Sequence, residues 1–297
     1  MIRVLGLGDN VVDKYMHILT MYPGGNALNF AVYAKMFGYE SAYLGNFGDD
    51  KEAEHVYETI SSLGLDVSRC RFLKGENGAA KVKIVDGDRV FLGSNKGGIS
   101  NQHPLELTNM DKNYISGYDI VHTSIFSHIE TQLPLIREAA SFVSMDFSNY
   151  ASSEYLKENC PYIDCACISC GEDMPEAEIR NQIEAILSYG CRHIVIATRG
   201  AKGAFVSVGG NVYKQSPCLV AARDTMGAGD SFITCFLVSY VDGIKYAVDF
   251  PENSREFGIT TAEEYKDLTV RTSLYKAAVY SSRNCQKDGS FGFGKEF

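Results

Sequence analysis

Asp224-Thr225-Met226-Gly227-Ala228-Gly229-Asp230, continued by Ser231-Phe232-Ile233-Thr234-Cys235-Phe236-Leu237, is the stretch around which the chain is organised. Small residues stand between carboxylates, and a mostly apolar run follows at once. The pattern predicts a tight turn feeding a buried helix. Backbone N–H groups in a helix's first turn lack intrahelical partners, and the helix dipole favours negative charge there. Glycines remove the Cβ atoms that would hold an anion off the backbone. A phosphate therefore fits on Gly227, Ala228 and Gly229. Asp230 then stands beside it as a base able to take the proton of an attacking hydroxyl. The plainer alternative is a glycine-rich turn whose aspartate caps a helix.

Upstream of this stretch the chain repeats one theme, an apolar run that ends on small or acidic residues. Val4 to Gly8 is a strand pattern ending at Gly8-Asp9, with a second carboxylate at Asp13. Open α/β sheets bind ligands at the C-terminal ends of such strands, so Asp9 and Asp13 are candidates to accept hydrogen bonds from sugar hydroxyls. Pro23-Gly24-Gly25-Asn26 is a turn leading into a helix of small and apolar residues from Ala27 to Ala34. Asn26 and Asn29 share a side of that helix, and their amides suit a polyol. Each of these residues also has a plain structural reading, as a turn, an edge or a cap.

Ser41–Phe47, Ile120–His122, Phe142–Phe147, Tyr162–Ile168 and Ile194–Thr198 read as strands. Glu52–Leu63, Gln132–Ala140 and Pro175–Leu187 read as helices. Alternating apolar strands and helices argue a parallel sheet covered on both faces. Ala79 to Phe91 instead alternates and turns at Asp86-Gly87-Asp88, as a hairpin with one wetted face does. Thr198-Arg199-Gly200-Ala201-Lys202-Gly203 follows a strand with a hydroxyl and a glycine-spaced turn, a setting for a nearby phosphate. Asp242 to Thr261 reads as a long polar surface loop, and Ala262 to Asn284 as a helix.

The 297 residues can bury one large core. A net charge of -9 excludes nucleic acid as the main partner, because no basic excess exists to neutralise a phosphate backbone. No window reaches the length of a membrane span. Met1-Ile2-Arg3-Val4 runs directly into a strand pattern, which leads us to expect a cytoplasmic protein. Nine cysteines include Cys165, Cys167 and Cys170. Their strand context and the lack of a second pair at finger spacing favour reduced, buried thiols over a zinc site.

Asp224–Asp230 matches the D-T-x-G-A-G-D signature of the ribokinase-like (PfkB) carbohydrate kinases, and Gly24, Gly25, Asn26 and Asn29 match that family's N-terminal Gly-Gly turn. The resemblance runs through nearly the whole chain and implies a three-layer α/β/α sandwich with a mostly parallel central sheet. It implies one kinase domain over 1–297, with a small β lid over the sugar from about 12–23 and 71–99. Such lids sometimes make a homodimer contact. By the same resemblance Asp230 is the catalytic base, Gly227, Ala228 and Gly229 are the anion hole, and Asp9, Asp13, Gly24, Gly25, Asn26, Asn29 and Arg89 lie on the substrate side. Thr198, Gly200, Gly203, Asp224, Thr225, Gly227 and Gly229 are expected along ATP, with the helix Ala262 to Asn284 packed beside the nucleotide. The family's N-x-x-E motif, which helps to hold magnesium-bound water, falls on Ser169-Cys170-Gly171-Glu172. Glu172 is kept, whereas Ser169 replaces the usual Asn. Gly289-Ser290-Phe291-Gly292 falls where the family completes its purine surroundings and, in some members, those of a monovalent cation such as K+.

Within the family the chain is similar to bacterial kinases that phosphorylate the 6-hydroxyl of a fructosamine. Gly8-Asp9-Asn10-Val11-Val12-Asp13, Gly24–Asn29, Asp88–Phe91 and His122 with Ile125 and His128 carry that likeness. A kinase for fructose, ribose or adenosine is the alternative. A non-catalytic sensor with this fold would lack the base at Asp230. An NAD-dependent oxidoreductase would need Gly-x-Gly-x-x-Gly after the first strand, and Gly6-Leu7-Gly8-Asp9 does not continue that way. The chain also lacks the Gly-x-x-x-x-Gly-Lys-Ser/Thr loop of P-loop kinases.

Overall fold

The computed structural model describes residues 1–85, 88–249, 258–259 and 261–297. In chain order the first strands are β1 (Arg3–Leu7), β2 (Val11–Tyr15), β3 (Thr20–Gly24), β4 (Glu40–Leu44), β5 (Asn46–Phe47), β6 (Arg71–Phe72), β7 (Gly78–Val85) and β8 (Asp88–Ser94). They are followed by β9 (Ile120–Ser124), β10 (Val143–Asp146), β11 (Cys165–Ser169), β12 (Ile194–Thr198), β13 (Ala204–Val208), β14 (Asn211–Gln215) and β15 (Lys295–Glu296). The helices are α1 (Asn26–Met36), α2 (Lys51–Ser62), α3 (Ile99–Gln102), α4 (Asn109–Ile115), α5 (Leu133–Ala139), α6 (Ser153–Asn159), α7 (Glu176–Ser188), α8 (Ala228–Asp249) and α9 (Ala262–Asn284).

An eight-stranded sheet in the order β14-β13-β12-β11-β10-β9-β1-β4 forms the centre. From β4 to β12 every pairing is parallel, and β13 and β14 close the other edge antiparallel. The strands read as continuous apolar runs because both faces are covered. Leu5, Val121, Val143 and Ala166 pack with Ile136 of α5 and Ile183 of α7 on one side. Val4, Ile120, Cys165 and Cys167 pack with Phe30 of α1, Phe236 of α8 and Val270 of α9 on the other. Gly6 permits the close approach of α1, since a Cβ there would stand 2.2 Å from the Ala27 carbonyl oxygen. This is the three-layer α/β/α arrangement that the strand–helix alternation implied.

A second sheet, in the order β15-β3-β2-β7-β8, lies apart from the central one. β7 and β8 pair antiparallel, as expected of a hairpin over 79–91, with a register shift between Lys81 and Val82, and residues 86 and 87 lie outside the described ones. Two boundaries differ from the sequence reading. Arg71 and Phe72, expected in the lid, pair instead with Asn46 and Phe47 in a ladder of their own. Arg69 and Arg71 both reach the fully buried carboxylate of Asp111 on α4, at 2.6 Å each, which draws this stretch towards the main body. The C-terminal β15 joins the second sheet by pairing with β3, which no local pattern announced.

The reading of 242–261 as a loop also changes. Helix α8 continues through Asp249. Asp242-Gly243 looks like a loop start, but Gly243 lets α9 come close: the Tyr265 hydroxyl donates to its carbonyl, and a Cβ there would stand 2.7 Å from Thr269. The rest of that stretch, apart from residues 258, 259 and 261, lies outside the described residues.

His122 sits at the centre of the sheet, stacked on Phe30 with ring centroids 4.3 Å apart and Nδ1 3.0 Å from the Ser144 hydroxyl. It is part of the core, not of a ligand site. Burial alone holds its pKa down at about 3. Between that value and the unfolded value near 6.5, the unfolded chain binds a proton that the folded chain refuses. Stability is therefore fully present above about pH 6.5 and is lost as the pH falls, by up to about 1.4 kcal/mol per pH unit. Urea unfolding of a His122→Asn variant between pH 7 and 4 should show a shallower decline than the unmodified protein. Parallel declines would mean that His122 does not titrate across folding.

Candidate active site

The glycine turns at Gly24–Asn29 and Gly227–Asp230 meet, although most of the chain separates them. Asn29 donates from Nδ2 to Asp230 Oδ2 at 2.5 Å. Tyr33, one helical turn further along α1, donates to the Ser290 carbonyl and accepts from Asn284 Nδ2 at 2.9 Å. Its hydroxyl oxygen lies 2.2 Å from where a Cβ on Gly227 would stand. Residues i and i+4 share a helix face, so one face of α1 sets both the carboxylate and the turn before it. Asp230 is half-buried in the first turn of α8, where the backbone N–H groups point out of the helix end. Of the expected anion-binding amides, Ala228 also closes a turn onto the Thr225 carbonyl at 3.2 Å.

The glycines of this turn do different work. Gly227 has φ +68 and is crowded by Tyr33 and Ser290, so the fold itself demands glycine there. Gly229 has nothing within 4 Å of its Cβ position. Packing gives no reason for glycine at 229, whereas a ligand approaching the helix end does.

On one side of this helix end opens a cleft of about 410 Å³. Thr198, Gly200 and Gly203 line it together with Glu172, Thr225, Ala228 and Gly229, so most of the residues expected along a nucleotide share one wall. Glu172 is exposed and accepts the Ala201 N–H at Oε1 (2.8 Å), and a Cβ on Gly200 would stand 2.5 Å from that oxygen. Gly203 (φ +86) is glycine because a Cβ would stand 2.1 Å from the Gln215 carbonyl oxygen. Pro217, Leu219 and Val220, from the segment after β14, also line the cleft and escaped sequence reading, whereas Ala278 and Ser281 lie on α9, the helix expected beside the nucleotide, and Cys285 follows its end. Leu219 is 75% exposed, an apolar residue after a strand end whose meaning only the cleft supplies.

Asp224 does not line this cleft. It is 1% exposed, and its carboxylate accepts from the Tyr15 hydroxyl, the Met226 N–H and the Gly289 N–H. The expectation of a nucleotide contact at Asp224 is corrected to that of a buried anchor for the turn.

The other side of Asp230 holds the residues expected around a sugar. Asp9 Oδ1 accepts from the Ser124 and Ser127 hydroxyls at 2.7 and 2.8 Å and from the Ala27 N–H at 3.2 Å. The carboxylate oxygen Asp13 Oδ2 stands 2.9 Å from the Cβ position of Gly24, with Ser290 Oγ at 3.4 Å and Asn29 Oδ1 at 3.9 Å from the same point. Asn29 Oδ1 is buried and has no protein partner. Gly25 (φ +116) is hemmed in by the backbone of Asp9 and Asn10, so a side chain at 25 disturbs the fold before it meets any ligand. Asn26 turns elsewhere, donating to Asp146 Oδ2 at 2.6 Å. Asp146, at the end of β10, has its pKa pushed up to about 6 by burial, against the opposing hydrogen bonds from Ser148 and Asn26. Its place was legible as a strand end on an aspartate, but its partner was not. The side chain of Arg89 lies outside the described residues.

Among the described residues no group of three or more His, Cys, Asp or Glu is placed to hold a metal ion. Cys165 and Cys167 share a face of β11 with Sγ atoms 3.8 Å apart, buried as free thiols. Magnesium usually keeps several waters and rides on substrate phosphates. The exposed Glu172 beside the cleft fits that mode, and the described residues offer no cage for a fully protein-bound ion. No helix among them is long and apolar enough to cross a membrane.

Residues 2–254 match the model of the pfkB family carbohydrate kinases. The chain belongs to the pfkB family. It is 38% identical over 293 residues to a fructosamine kinase of Bacillus subtilis, covering 98% of this chain and 94% of that protein. It is 31% identical over 238 residues to a fructoselysine 6-kinase of Escherichia coli, covering 80% of this chain and 89% of that one. The fold superposes on a ribokinase from Giardia lamblia with a TM-score of 0.77 at 15% identity, over 99% of this chain and 96% of that one. As a pfkB-family carbohydrate kinase, the protein phosphorylates a sugar hydroxyl at the expense of ATP.

The two glycines of the turn can be separated by experiment. Gly229→Ala should melt at or slightly above the unmodified temperature, since alanine is the better helix former by about 1 kcal/mol. It should nevertheless weaken nucleotide binding. Gly227→Ala should lose on the order of 1–3 kcal/mol of stability through the left-handed backbone and the contact with Tyr33. Calorimetric melting with nucleotide titration checks both, and unchanged nucleotide affinity in Gly229→Ala would remove that residue from the phosphate site.

Proposed function

We propose that the protein transfers the γ-phosphoryl group of ATP to the 6-hydroxyl of a fructosamine, fructoselysine or a close relative, with Asp230 as general base. The observation that carries this reading is the half-buried Asp230, held by Asn29 between an open helix end and the polar pocket at Gly24. A sugar hydroxyl is a poor nucleophile at neutral pH. As its oxygen nears phosphorus its proton becomes acidic, and the Asp230 carboxylate receives it. The N–H groups of Gly227–Gly229 and the helix end supply fixed positive dipole where the phosphoryl charge spreads. Asp9, Asp13, Asn29 and the backbone at Gly24 orient the acceptor, with Asn29 also steering Asp230. Thr198, Gly200, Gly203 and Thr225 lie along the nucleotide. When bound, magnesium would neutralise phosphate charge, with Glu172 and Ser169 holding its water shell.

The substrate reading rests on the similarity to the fructosamine and fructoselysine kinases. A kinase for fructose, ribose or adenosine is the alternative. We read the whole chain as one kinase domain, with the sheet β15-β3-β2-β7-β8 as its lid. Val90, Phe91 and Leu92 are exposed along the edge strand β8, which fits a homodimer contact through that lid. The free thiols fit a cytoplasmic location.

A coupled ADP assay across fructoselysine, psicoselysine, fructose, fructose 6-phosphate, ribose and adenosine should rank the fructosamines first. Turnover confined to ribose or adenosine sinks the fructosamine assignment and spares the kinase. Asp230→Asn should stay folded, bind both substrates and lose about 10²–10⁴-fold in kcat, the usual contribution of a positioned base. Asn caps a helix nearly as well as Asp. A variant that keeps more than about a tenth of normal turnover would therefore show Asp230 to be only a cap.

A further inference from the structure

Asp224 opens the anion turn, but its carboxylate faces inward and collects donors from distant parts of the chain. The Met226 N–H reaches Oδ1 at 2.9 Å, and the Gly289 N–H reaches Oδ2 at 2.8 Å. The Tyr15 hydroxyl reaches Oδ2 at 2.5 Å. Tyr15 is the last residue of β2, in the five-stranded sheet read above as the lid, and it is 1% exposed. No lysine or arginine among the described residues forms an ion pair with Asp224. The Met226 side chain packs with Tyr15, Tyr22 and Val82, all from that same sheet, and Gly227 follows it directly. The Tyr15 hydroxyl and the Met226 side chain thus tie this sheet to the anion turn.

Family resemblance places a monovalent cation, where one is used, near 289–292. The buried anion of that region is Asp224, and the residues around it do not suit a cation. Both oxygens already accept from donors, one on Oδ1 and two on Oδ2, and a carboxylate so occupied is a poor cation ligand. We infer that Tyr15 is a positioning residue which, through Asp224, fixes the Gly227–Asp230 turn to the lid in place of a monovalent cation. A hydroxyl on the lid does something that an ion cannot. It is in place only when the lid is, so the phosphate-binding turn reaches its working geometry together with closure over the acceptor.

This inference rests on the kinase reading, and its test is arranged so that the two fail separately. Rates and melting midpoints of the unmodified protein are compared in potassium chloride and in tetramethylammonium chloride at equal ionic strength. Tyr15→Phe removes one oxygen and keeps the ring. We expect equal rates within about twofold and equal melting midpoints for the unmodified protein. Tyr15→Phe should retain nucleotide affinity and lose about tenfold or more in kcat, since small displacements of reacting groups are costly. Potassium, but not tetramethylammonium, should recover part of that loss by entering the space left beside Asp224. A several-fold potassium requirement or a potassium-specific rise in melting midpoint in the unmodified protein overturns the inference, as does unchanged kcat in Tyr15→Phe. If the variant does not fold, the two-salt comparison on the unmodified protein decides. Absence of turnover with every acceptor fails the kinase reading instead, and the melting midpoints then decide this one.

Discussion

The structure depends on the contact between Asn29 and Asp230, because it joins the starts of two helices, α1 and α8, that belong to opposite ends of the chain. An aspartate in a first helical turn has ample freedom to point into solvent. The amide of Asn29 removes that freedom, and Tyr33, on the same face of α1, braces the glycine turn behind it. The Gly289-Ser290 segment closes the arrangement from a third direction, with Ser290 Oγ 3.3 Å from Asn29 Nδ2 and the Gly289 N–H on Asp224. The position of Asp230 is thus set by groups from three separate segments of the chain.

Carboxylates gather at the C-terminal ends of parallel strands, Asp9 and Asp146 among them, and no described lysine or arginine pairs with either. Those groups are held by hydroxyls and amides instead, as buried carboxylates must be in the absence of counter-charge. The cleft beside α8 is lined instead by glycines and a helix start. A net charge of -9 does not forbid an anionic ligand at such a place, because the attraction is local and dipolar. Arginines do form a strong buried cluster, Arg69 and Arg71 with Asp111, but it serves to fasten β6 to α4, away from the cleft.

Glycine illustrates how one residue type carries two meanings. At 25, 203 and 227 the backbone is left-handed and a Cβ would strike neighbouring atoms, so the requirement is internal to the fold. At 229 the space is open, and at 24 it is ringed by the oxygens of Asp13, Ser290 and Asn29. At 24 the crowding is by side-chain oxygens rather than backbone, and only at 229 does the fold give no reason for glycine. A motif read as a string treats all five alike.

Much was settled by the sequence alone. Apolar strands alternating with helices dictated a parallel sheet covered on both faces, because each strand has to bury both of its sides. The turn at 227–230 and the helix after it were legible because glycines before an apolar run mark a chain reversal into a buried helix. The alternation at 165–168 placed Cys165 and Cys167 on one face of a strand. Tertiary structure decided what depends on partners remote in the chain. It made Asp224, expected along a nucleotide, a buried anchor, gave Asn29 to Asp230 and Asn26 to Asp146, paired Arg71 and Phe72 with Asn46 and Phe47, brought β15 into the five-stranded sheet, and extended α8 past Gly243. Each of these rests on a hydrogen bond or a close approach between segments far apart in sequence. Local propensity and periodicity carry no record of such contacts, because they describe a residue's neighbours along the chain and not its neighbours in space.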